Sequence, residues 1–248
     1  MAWYAYCITD QLILNNGIRS RRPALLEGIQ GVNGSPVLSY PSGEFAVVVS
    51  EFEGDREQLE QKTSVLAHAR VVSVCFRAGT VLPFKLGTIF ENDEALRQSV
   101  RANRRAFGES VARLKGKAEM HLKLLVRDGS LREAMIDVKL PDTVGGDYLL
   151  KLHEKASRQR ERQTKARALS VQVHKLFNPL EEEVSCKKMD SQGMLIDIAH
   201  LIDSKSIEKY QNRFSSAAKQ LKNCELLISG PWPPYHFLPG KLRTVAGN

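Results

Sequence analysis

The sequence has 248 residues, 42% hydrophobic and 26% charged, with a formal net charge of +8. That balance describes a globular chain of one large domain or two small ones and excludes collagen-like, mucin-like and disordered classes. No run approaches the roughly 18 apolar residues of a membrane span, and Met1–Asp10 lacks the basic start and apolar stretch of a secretion signal, so a cytoplasmic protein is expected.

The opening run Trp3–Thr9 is aromatic and β-branched and predicts a strand. A polar, Gly-containing stretch follows. Two more strands are expected at Pro36–Tyr40 and Glu44–Val49, joined into a hairpin by the turn signal Pro41-Ser42-Gly43. From Asp55 the pattern turns helical, with Leu59, Val65, Leu66, Ala69 and Val72 at mixed three- and four-residue steps, and Gly79 is a natural stop. In Val81–Phe90, proline and glycine argue for an edge strand or shaped loop. Asn92 or Asp93 caps the next helix, whose stripe is Leu96, Val100, Phe107, Val111 and Leu114.

Glu119–Val126 alternates as a strand and ends at the turn pair Asp128-Gly129. A long helix is expected from about Asp147 to Phe177, stopping before Asn178-Pro179 because the residue preceding proline avoids helical angles. Val184–Met189 and Met194–Ile202 form a second hairpin. Ile207, Tyr210, Phe214, Ala217 and Leu221 mark an amphipathic helix, and Glu225–Ser229 closes as a strand. The fold class is therefore α+β in two domains, 1–114 and 115–248, the second in ferredoxin-like order βαββαβ with a long basic helix.

Motifs for catalysis are missing from the sequence. There is no GxGxxG, Walker loop, HExxH, GxSxG or CxxC; the six histidines and four cysteines are scattered singly. The expectation is a protein that is not an enzyme, with no catalytic residues, no cofactor and no metal site, its cysteines buried as free thiols.

Charge is unevenly placed, +1 over residues 1–114 and +7 over 115–248. Lys151–Arg167 carries seven basic residues, Arg158, Arg160 and Arg162 among them, against Glu154 and Glu161. Such a helix either docks acidic protein or phosphate or is a solvated face. In Ser229–Phe237, three prolines remove backbone donors and stiffen the chain into a ribbon displaying Trp232, Tyr235 and Phe237. Those rings either lid their own domain or meet a partner. The prolines are expected to hold Trp232 against the sheet, leaving Tyr235 and Phe237 more exposed.

Three groups of residues, Ala67–Val72, Gly79–Phe90 and Gly230–Phe237, together with Tyr4-Ala5-Tyr6, Glu119 and Gly146–Leu149, resemble the gas vesicle protein F/L family in nearly the whole chain. Lys85-Leu86 stands where that family has Arg-Phe, and His236 where Ser or Asn is common. The resemblance implies an accessory or minor structural protein of gas vesicle assembly, located at the gas vesicle in the cytoplasm. Its implied partners are the hydrophobic shell subunit and other accessory proteins, with no membrane. The alternative reading is a nucleic-acid-binding module using the basic helix 151–167.

Overall fold

The computed structural model describes residues 1–10, 22–54, 56–126, 144–178, 180, 182–191, 194–221 and 224–239. The opening aromatic run becomes strand β1 (Ala2–Asp10), buried along almost its whole length, and it takes the position such a strand must take, inside a six-stranded sheet. β1 pairs antiparallel with β4 (Phe45–Phe52), which pairs with β3 (Pro36–Ser42), which pairs with the edge strand β2 (Ala24–Gln30).

The expected hairpin forms one residue tighter than its turn signal suggested. Pro41 and Ser42 stay in the ladder opposite Ala46 and Phe45, and the turn is Gly43-Glu44, with Gly43 at φ +67°. β2 has no counterpart in the predicted elements. Its register slips between Leu25 and Gln30 and Gly28 lies at φ +74°, so the apolar alternation that would announce a strand is broken.

Helix α1 (Lys62–Ala78) ends where Gly79 donates its N–H to the Cys75 carbonyl. Helix α2 (Asp93–Leu114) begins with the Asn92 side chain accepting from the Ala95 N–H at 2.9 Å. Between them, β5 (Val81–Pro83) and β6 (Ile89–Phe90) each pair with β1, leaving 84–88 as a shaped loop. Strand alternation sends Tyr4 and Tyr6 toward His68 on α1, whereas Trp3 turns to Asp93 on α2. One helix therefore covers each face. The core on the α1 side is built from Tyr4, Tyr6, Val48, Phe52, Val71 and Val72, each large side chain contributing about 1.5–3 kcal/mol of burial.

The remaining elements run strand, helix, strand, strand, helix, strand: β7 (Lys117–Val126), α3 (Val144–Phe177), β8 (Glu183–Ser191), β9 (Met194–Asp203), α4 (Ile207–Gln220) and β10 (Cys224–Trp232). They form a four-stranded sheet ordered β10-β7-β9-β8, with β8 and β9 antiparallel as the hairpin pattern predicts. Met120, Leu122 and Leu124 of β7 and Ile196 and Ile198 of β9 share a core with Val173 and Phe177 of α3 and Tyr210 and Ala217 of α4. The apolar stripe of α4 and the described apolar side chains at the end of α3 thus meet in that one core. The turn pair Asp128-Gly129 lies outside the described residues.

The chain divides into two compact units, Met1–Glu119 together with the chain from Pro231, and Met120–Gly230. This differs from a division at 114/115 in one respect that matters for function: the terminal ribbon groups with the first unit rather than the second.

Candidate functional site

The ribbon is tied to the first unit by polar contacts that leave little freedom. Glu119 on β7 is only 1% exposed, and its two carboxylate oxygens accept from the His236 backbone N–H and the His236 Nδ1, each at 2.8 Å. A carboxylate only accepts, so Nδ1 carries the proton in this pair. The Arg113 guanidinium, in the last turn of α2, donates to the Phe237 carbonyl. Tyr235 N–H closes on the Pro233 carbonyl at 2.8 Å and Phe237 N–H on that of Pro234 at 3.3 Å, giving a single helical turn over Tyr235–Phe237.

These anchors sort the three aromatic rings. Phe237 is buried, 6% exposed, whereas Trp232 is 43% and Tyr235 38% exposed. The expectation that Trp232 would lie against the sheet and Phe237 would project is reversed for both. Trp232 ends β10, which is an edge strand among the described residues, while Phe237 is pulled in by the contacts at its own carbonyl and at His236. Tyr235 remains an exposed ring with a sheltered hydroxyl. Burial, with smaller contributions from Cys7, Tyr4 and Glu119, pushes its phenol well above the ordinary value, so it stays protonated.

The other motif residues meet inside the first unit. Tyr4 shares a 2.8 Å hydrogen bond with His68 Nδ1, and its oxygen accepts from the Gly87 N–H at 3.4 Å. Gly87, at φ +80°, is a position suited to glycine. Tyr6 shares a 2.8 Å bond with Ser50 Oγ and accepts from the Val32 N–H. Burial lowers the His68 pKa to about 4, and its Nε2 meets no partner at hydrogen-bonding geometry although the nearby Phe84 backbone offsets part of the burial effect. A buried, neutral imidazole held by a tyrosine is packing chemistry. The second unit repeats the device, with His200 Nδ1 and the Tyr210 hydroxyl 2.6 Å apart, and burial again lowers the histidine to about 4.

On the basic helix, the described side chains His153, Glu154, Arg160, Glu161, Thr164 and Arg167 are exposed, and Leu169 is the first of the described side chains to pack against the core. Arg160 is therefore available to a polar partner. The side chains of Arg158 and Arg162 lie outside the described residues. Of the predicted contact residues, Trp232, Tyr235 and Phe237 share the ribbon and Arg160 lies on α3. The anchors Glu119 and Arg113 had no local signal: Glu119 occupies the polar phase of an alternating strand, and only the return of the chain more than a hundred positions later buries it.

A family profile described as "Gas vesicle synthesis protein GvpL/GvpF" matches residues 2–239. Among curated proteins, the chain is 24% identical to gas vesicle protein L of a Streptomyces species, covering 86% of this chain and 87% of that one. It is 23% identical to gas vesicle protein L1 of Halobacterium salinarum, over 95% and 90% of the two chains. Among solved structures, the crystal structure of gas vesicle protein GvpF from an Anabaena species superposes with a TM-score of 0.74 at 20% identity, covering 97% of each chain. GvpF from Microcystis aeruginosa gives 0.69 at 19% identity, over 96% of this chain and 99% of that one.

Proposed function

The chain belongs to the gas vesicle synthesis protein GvpL/GvpF family, whose work is gas vesicle formation, and from that premise we propose that it is an accessory or minor structural protein that binds the hydrophobic shell subunit during assembly. The observation that carries this reading is the pair Trp232 and Tyr235, exposed on a ribbon whose flanks are fixed by Glu119–His236 and Arg113–Phe237. Partly exposed rings on a pre-stiffened chain lose little conformational freedom on contact and gain burial of their remaining apolar surface. An apolar shell subunit is a partner suited to such a surface. Phe237 contributes by holding the ribbon rather than by touching the partner.

The family is one of gas vesicle proteins rather than enzymes, and the buried histidine–tyrosine pairs support a role without turnover. Among the described residues no helix is long and apolar enough to cross a membrane, and the working place is the gas vesicle. The order β10-β7-β9-β8 with two helices on one core supports a ferredoxin-like second unit.

Co-purification of the shell subunit with the full chain, against the same chain carrying Trp232→Ser, tests the proposal. Reduced recovery of the subunit at unchanged amounts of folded protein is expected; equal recovery would overturn it. Binding through Arg158, Arg160 and Arg162 to nucleic acid would instead show as a steep log-linear loss with salt.

A further inference from the structure

A recess in the first unit has a chemistry different from that of the ribbon. The tip of the β3–β4 hairpin and α2 line an open recess of about 460 Å³, with Arg97, Arg101 and Arg104 from the helix, Glu44 from the hairpin, and the buried Phe45 and Val100. That volume is in the range of small binding clefts. The arginines sit four and three residues apart, which puts them on one face of the helix, where like charges at this spacing oppose helix formation.

Two of the three are occupied by structural partners. Arg97 donates through Nε to the Tyr40 hydroxyl at 3.0 Å and lies over that ring, and Tyr40 in turn donates to Asp93. Arg104 is forked onto Glu44 at 2.8–3.0 Å. Each retains further N–H donors, since a guanidinium has five. Arg101, between them, makes no hydrogen bond or ion pair among the described residues and is exposed. The recess therefore has a positive centre whose flanking side chains are held in place by Tyr40 and Glu44.

We propose that this recess receives an acidic segment of a partner protein, its carboxylates on Arg101 and the spare donors of Arg97. Guanidinium and carboxylate match as planar forks, which is the chemistry the recess presents. Single-stranded nucleic acid would want an aromatic face to stack on, and the aromatic residue here, Phe45, is buried. This surface is independent of the ribbon: it selects charge, whereas Trp232 and Tyr235 select apolar area.

The test uses the full chain and a fluorescein-labelled hexapeptide of alternating glutamate and valine, followed by anisotropy at low salt, with the glutamine-for-glutamate peptide and a labelled oligothymidine as comparisons. Saturable binding of the acidic peptide is expected, weakened about tenfold or more by Arg101→Glu, which turns attraction into repulsion at the centre of the recess. Arg105→Glu makes the same charge change on the same helix, at a side chain paired with Glu109 outside the recess, and is expected to change binding less than about twofold. Matching melting temperatures for both variants show that the fold is intact. Equal losses in the two variants would reduce the effect to diffuse charge and overturn the proposal. So would equal binding of the glutamine peptide, or an Arg101 effect confined to oligothymidine.

Discussion

Lowering the pH from 7 to 5 perturbs both units through one kind of group. His68 and His200 are buried, each hydrogen-bonded through Nδ1 to a tyrosine, and burial holds each at about 4 against an ordinary 6.5. A histidine whose folded pKa is depressed takes up its proton first in the unfolded chain. The stability it supports is therefore complete above about 6.5 and is lost as pH falls toward the folded value, at up to about 1.4 kcal/mol per pH unit. Between pH 7 and pH 5 this amounts to about 2 kcal/mol for each histidine, a sizeable share of the roughly 5–15 kcal/mol that holds an ordinary domain together. Asp93 does not blur this window. Hydrogen bonds from Tyr40 and Trp3 hold its carboxyl below the usual range, so its contribution is present above that range and lost only under about pH 4. Urea melts at half-unit pH steps, read by tryptophan fluorescence for the first unit and by circular dichroism for the whole chain, measure the slope. His68→Gln and His200→Gln should each flatten it by one group's share. Flat stability from pH 7 to 5, or slopes unchanged in both variants, would refute the reasoning.

The ribbon makes further expectations. Phe237→Ala removes a buried ring and should cost about 3–5 kcal/mol, visible in calorimetry, whereas Trp232→Ala at a half-exposed position should cost well under half of that. Glu119→Ala and His236→Ala should each destabilise, and the double variant should cost less than the sum because one pair is broken once. Gly31→Ala places a Cβ 2.2 Å from the Tyr6 hydroxyl, which Val32 and Ser50 hold in place, so a loss of stability of about 1–3 kcal/mol is expected on thermal melting.

Much of the architecture can be read along the chain because it rests on local rules. The β1 run, the Asn92 cap, the stop at Gly79 and the stripe from Ile207 to Leu221 each depend on neighbours a few residues away, and each forms as its residues predict. β2 escapes because its bulge breaks the alternation, and its place in the sheet is set by β3. The ribbon shows the same limit in the site. Its prolines and rings mark it as stiff and aromatic, but which ring faces water depends on Glu119 and Arg113, distant in sequence, and on β10 being an edge strand among the described residues. The recess over α2 was likewise illegible. Arg97, Arg101 and Arg104 share a recess with Pro41 and Glu44 only because the hairpin tip folds beside α2.

Grip on the shell subunit by the exposed aromatics is tested most directly by quantitative binding of that subunit to the full chain and to the Trp232→Ser/Tyr235→Ser double variant, at about 50 and 500 mM salt, with melting temperatures matched. The prediction is a loss of about tenfold or more in the double variant, since burial of two half-exposed rings contributes more than about 1.4 kcal/mol, and binding by the unaltered chain that holds or strengthens as salt rises. Equal affinity for the two proteins, or binding that collapses at high salt, would contradict it.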